Sequence, residues 1–136
     1  MRIVIDTNVL IATLTQPSCS GAQVVSAWLE GRLEVVSSEA TLREAELVLD
    51  SEWLKRLCSR RKVEALLEQL QTRTIRVQGC PVKDIALRDA GDRRLVEAAV
   101  DGDATYLVTT DRELLNHRGY ADTEFVTPAE LLRVLC

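Results

Sequence analysis

Aromatic residues make up only 4% of this 136-residue chain, so a core must be built from valine, leucine, isoleucine and alanine. No apolar stretch approaches the ~20 residues of a membrane-spanning helix, so no membrane segment is expected. The opening MRIVIDTNVLIATL begins apolar. Asp6 interrupts it, however, and no small-residue cleavage site follows, which argues against a secretory leader. The cysteines Cys19, Cys58, Cys80 and Cys136 are scattered, with no Cys-x-x-Cys pair and no Cys/His cluster. That disfavours a zinc site and favours a reducing, cytoplasmic setting. His117 is the one histidine, so a histidine-rich metal site is excluded, and its surroundings, LLNHRGY, read as a solvated loop. A glycine-rich phosphate loop is also missing, which weakens a nucleotide-binding reading.

A hydrophobic content of 46% suits an ordinary globular protein, and the length suits one domain over residues 1–136. The net charge of −4 is unpromising for a nucleic-acid binder. Its distribution says more. Residues 1–50 carry 3 basic and 7 acidic side chains, residues 51–76 carry 7 and 3, and residues 79–136 carry 7 and 11. The basic middle reads equally well as a solvated helix face or as a phosphate-contacting rim beside an acidic pocket.

Arg2–Ile5 is β-branched and reads as a buried strand. Helices are predicted over 8–14 and over 21–30, the second opened by a Ser20-x-x-Gln23 capping box and ended by Gly31. A strand over 33–36 precedes a helix over 39–49 capped by Ser38, and Trp53, Leu54 and Leu57 suggest a further helical turn or two. Val63, Leu66, Leu67 and Leu70 mark an amphipathic helix over 60–72. Strands over 74–77, 106–108 and 124–126 alternate with a helix after Asp89, a short one over 111–115, and one over 128–135. Thr127-Pro128-Ala129-Glu130 opens the last of these as a capping box. Such alternation predicts a three-layer α/β/α domain around a central, mostly parallel sheet.

Ligands of open parallel sheets bind beyond the carboxyl ends of the strands. Two strands here run directly into a carboxylate, Ile3-Val4-Ile5-Asp6 and Tyr106-Leu107-Val108-Thr109-Thr110-Asp111. If they are neighbours, Asp6 and Asp111 can share an ion. Asp92 falls in the first turn of a helix, whose N-terminus favours an ionised acid. Asp6 and Asp111 could also serve only as N-caps, the weaker of the two readings. Asp89 reads as a cap, and Asp103 as turn chemistry. Arg93 and Arg94 fit either a solvated face or phosphate contacts, and Trp28 and Trp53 fit packing or an interface.

These segments resemble PIN domains, and more narrowly the VapC-like toxin ribonucleases of bacterial toxin–antitoxin pairs. The resemblance spans nearly the whole chain. It begins at Asp6-Thr7-Asn8-Val9-Leu10, continues through Val36–Glu44 and Arg88–Asp92, and closes with Ala104–Asp111 and the tail Val126–Leu132. It implies four acids, Asp6, Glu44, Asp92 and Asp111, as catalytic metal ligands, with Glu46 as the alternative to Glu44. Ala90 and Gly91 depart from the family's usual Pro and polar residue, and Thr105 from its usual Asp.

Four gathered carboxylates repel one another, and a hard octahedral cation such as Mg²⁺ or Mn²⁺ relieves that repulsion. The implied reaction is phosphodiester hydrolysis by metal-activated water, with RNA as substrate and a 5′-phosphate and 3′-hydroxyl as ends. Asn8, Thr109 and Thr110 could orient a ligand or a water, and so could Thr7. A cognate antitoxin and a homodimer are the implied partners; an antitoxin arginine or lysine could enter the acidic pocket. The alternatives are a PIN-like binding module that does not cleave, and a response-regulator-like phosphoacceptor. The second lacks the adjacent acidic pair and the late lysine it would need.

Overall fold

A computed structural model describes residues 1–136. In chain order the elements are β1 (Arg2–Ile5), α1 (Thr7–Thr15), α2 (Ser20–Leu29), β2 (Glu34–Ser38), α3 (Glu39–Leu49), α4 (Glu52–Leu57) and α5 (Arg60–Thr72). They continue with β3 (Thr74–Val77), α6 (Ala90–Asp101), β4 (Tyr106–Val108), α7 (Arg112–His117), β5 (Gly119–Tyr120), β6 (Thr123–Val126) and α8 (Pro128–Leu135).

The sheet order is β3-β2-β1-β4-β6-β5. All pairings are parallel except that of β5 with β6. β1 and β4 are therefore adjacent, in a register that sets Ile5 beside Val108. The backbone ladder continues one step past both strands, with Asp6 N–H donating to Val108 O (2.9 Å) and Thr109 N–H to Val126 O (2.9 Å). Those two bonds fix the backbone on which the acids stand.

Alternation along the strands sends side chains to opposite faces. Ile3, Ile5 and Val35 join the apolar sides of α1, α2, α3, α5 and α8 in one core, where Trp28, Leu49 and Leu54 are fully enclosed. Val4, Val36, Leu107 and Phe125 join Leu95, Val96 and Ala99 of α6 and Leu114 of α7 in the other. This is the three-layer architecture that the alternation predicts, and no helix is long and apolar enough to cross a membrane.

Several local expectations need correction. Helix α2 is capped by Cys19, whose sulfur accepts the Ala22 N–H at 3.4 Å, rather than by Ser20. Gly31 does follow the helix, at φ +82°, a conformation glycine adopts freely. β2 runs on to Ser38 because its parallel pairing with β3 continues through Ser37 and Ser38, and the buried Ser37 hydroxyl finds a partner in Thr74 Oγ1 (2.7 Å). His117 is the exposed last residue of α7, with Nε2 2.9 Å from Ala86 O, and not part of a loop. The two-residue β5 escapes pattern reading because it spans a single period of alternation and so cannot repeat it; Arg118 and Ala121 flank it at positive φ. Trp28 is a packing residue whose Nε1–H donates to Arg73 O (3.2 Å), whereas Trp53 lies on the surface.

Candidate active site

Beyond the carboxyl ends of β1 and β4 lies a cavity of about 110 Å³. Asp6, Glu44, Asp89, Asp92 and Asp111 all line it, with Thr7 and Asn8 at its side. Each acid arrives by a different route. Asp6 is both the residue after β1 and the N-cap of α1: Oδ1 accepts the Asn8 N–H (3.3 Å), and Oδ2 accepts the Thr109 hydroxyl (2.7 Å). Asp111 N-caps α7 through Glu113 N–H (2.9 Å). Its own N–H donates to Thr109 Oγ1 (3.0 Å). The fully buried Thr109 thus ties both strand-end acids together, while Thr110 is exposed and does not line the cavity.

Asp92 enters from the first turn of α6, and Glu44 from the middle of α3, which packs against α6. Glu46 points elsewhere, accepting from Gln71 Nε2 (3.1 Å). Of the two candidate glutamates, Glu44 is therefore the one that lines the cavity. Asp89 caps α6 by accepting Gly91 N–H (2.8 Å), as expected, but it also adds a fifth acid to the lining. Its position three residues before Asp92 was the available signal, since the first turn of a helix brings such a pair together.

Buried like charges raise one another's pKa. Burial pushes Asp6 above the usual carboxylate range, against the hydrogen bonds from Thr109 and Asn8. Asp92 is pushed up to about 8, first by burial, then by a hydrogen bond and repulsion with Asp111, then by Asp6 and Asp89. One of its oxygens, Oδ2, is buried without a hydrogen-bond partner. An orphaned buried oxygen in a lining whose charged groups are all carboxylates suits a hard divalent cation. No three acids already stand at the spacing of a preformed ligand cage, an arrangement that like charges oppose.

The arginines divide. Arg93 spends its guanidinium on the connection before α6, donating to Val82 O and Ile85 O, both at 3.2 Å. Arg94 is exposed, and with Arg43 and Glu44 it lines an adjoining open cavity of about 430 Å³. None of the cations of residues 51–76 lines the acidic cavity. Lys55 pairs with Asp50 and Glu52, and Arg60 with Glu64, so part of that basic stretch is a surface ion-pair network.

Together these features define a class: a three-layer α/β domain whose parallel sheet opens onto an acidic, cation-suited cavity. The PIN domain profile matches residues 2–113, and the chain belongs to the PIN domain family. The fold is similar to a chain in the crystal structure of VapBC2 from Rickettsia felis bound to a DNA fragment from its promoter. That likeness has a TM-score of 0.63 and 12% identity, over 92% of this chain and 97% of that one. At such identity the likeness is one of fold. No curated protein sequence matches the chain.

Proposed function

We propose that this PIN domain is a Mg²⁺- or Mn²⁺-dependent endoribonuclease and the toxin of a toxin–antitoxin pair, acting in the cytoplasm. The observation that carries the reading is the meeting of Asp6, Glu44, Asp92 and Asp111 in one cavity at the end of β1 and β4. Nothing in that cavity offers a cysteine or histidine nucleophile, and its chemistry is that of oxygen ligands.

Asp6, Asp92, Asp111 and Glu44 would hold the ion. When bound, it would supply positive charge to the scissile phosphate and acidify a water. The chain's own part is to position the acids. Thr109 fixes Asp6 by donation and Asp111 by acceptance, so both carboxylates stand on a rigid strand edge. Asp92 retains a proton near neutral pH while no cation compensates its neighbours. Asn8, on the first turn of α1, lies at the cavity side within reach of a ligand. Arg94 and Arg43 stand where the RNA backbone would leave the acids, and two cations there would offset the repulsion between phosphate and carboxylate.

The toxin role rests on the family resemblance and on the fold shared with a chain of a VapBC complex. In that role the partners are an antitoxin, which would place an arginine or lysine in the acidic cavity, and a second copy of the chain. The test is RNA cleavage with Mg²⁺ or Mn²⁺ by the wild-type chain and by D92N. We expect ion-dependent 5′-phosphate products from the first and loss of cleavage in the second; equal cleavage by both removes Asp92 from the mechanism.

A further inference from the structure

Glu44 is the acid whose presence in the cavity depends most on a neighbour, and that neighbour is Gly91. Gly91 is buried in the first turn of α6. Its φ is not positive, unlike that of Gly31 or Gly79, so the backbone does not require glycine there. Space does. A Cβ at 91 would overlap Glu44 Oε1 and stand 2.8 Å from Oε2 and 2.9 Å from Cδ; these are its three nearest atoms. The Glu44 carboxylate thus rests on the bare Cα of Gly91, one residue from Asp92.

We infer that Gly91 is a positioning residue, its missing side chain forming the seat that delivers the Glu44 carboxylate to the acidic cavity. The inference rests on the metal-dependent reading above for what Glu44 does once seated. The three atoms nearest a methyl at 91 all belong to the flexible end of one glutamate, which can swing aside at little cost to the fold. Alanine is also the better helix former. G91A therefore separates stability from ion binding, which a merely structural glycine would not do.

The experiment is calorimetric Mn²⁺ titration of wild type, G91A, E44A and G91A/E44A, with thermal melts of each in chelator. We expect G91A to melt at or above the wild-type temperature and to bind Mn²⁺ about tenfold more weakly. E44A should lose a similar factor, and the double variant should be no weaker than E44A. Wild-type Mn²⁺ affinity in G91A overturns the inference while leaving the metal reading intact. So do multiplied losses in the double variant, or a G91A chain that no longer melts cooperatively. A wild-type chain that takes up no Mn²⁺ overturns the metal reading and the inference with it.

Discussion

Replacing Asp92 with asparagine should stabilise the metal-free protein even as it removes activity. Folding raises the Asp92 pKa from an ordinary 3.8 to about 8. At about 1.36 kcal/mol per unit, the ceiling is ~6 kcal/mol, reached only above pH 8. Solvent screening and the coupling to Asp111 cut this to about 1–3 kcal/mol near neutrality. For a domain of this size that is a rise in Tm of roughly 4–12 °C. The sign with pH follows from the raised pKa. Below about pH 4 the carboxyl is protonated in both states and contributes no penalty. As pH climbs towards 8 the unfolded chain ionises while the folded one must hold its proton, so stability falls across that window. Differential scanning calorimetry in chelator between pH 5 and 8.5 should show wild-type Tm declining with pH and D92N nearly level. Saturating Mn²⁺ should reverse the order, because an ion at a thousandfold excess over Kd adds about 4.1 kcal/mol to a chain that binds it, more than the D92N gain. A D92N chain less stable than wild type in chelator at pH 8, or a wild-type Tm indifferent to pH, refutes the reasoning.

Thr109→Val removes the hydroxyl that serves both Asp6 and Asp111. It should cost about 1–3 kcal/mol by urea denaturation and depress cleavage, while Thr109→Ser restores both. Leu107, wholly enclosed in β4, should lose about 2–5 kcal/mol on truncation to alanine, read as a lower urea midpoint at unchanged slope. Arg94→Ala should weaken RNA binding and shrink the log–log salt dependence by about one unit in fluorescence anisotropy. An unchanged salt slope would remove Arg94 from the phosphate path.

The sheet was legible because its strands are short apolar runs set between amphipathic helices. β3, β4, α5 and α8 begin and end where the pattern places them. Asp6 and Asp111 could be aimed from sequence because a strand end has a direction, and only the adjacency of β1 and β4 awaited the topology. Glu44 could not be aimed that way. Its place depends on how α3 lies against α6 and on an empty volume at residue 91, neither of which leaves a periodic trace. The charge pattern misled for a related reason. A run of cations along the chain became α4, α5 and β3, none of it lining the acidic cavity, while Arg94 of α6 came beside Glu44 and its chain neighbour Arg43 through the packing of α3 on α6. Asp89 looked like a cap and is one, but a capping carboxylate at a cavity mouth also faces inward.

The hydroxyl of Thr109 meets the carboxylate of Asp6 across 103 positions of chain. A nascent polypeptide therefore displays Asp6 long before the strand that completes its surroundings has been synthesised. Contacts of such long range also form late in folding, after the intervening loop has closed. Translation itself thus delays assembly of the acidic cluster, and a partially made or truncated product carries its first carboxylate without its companions.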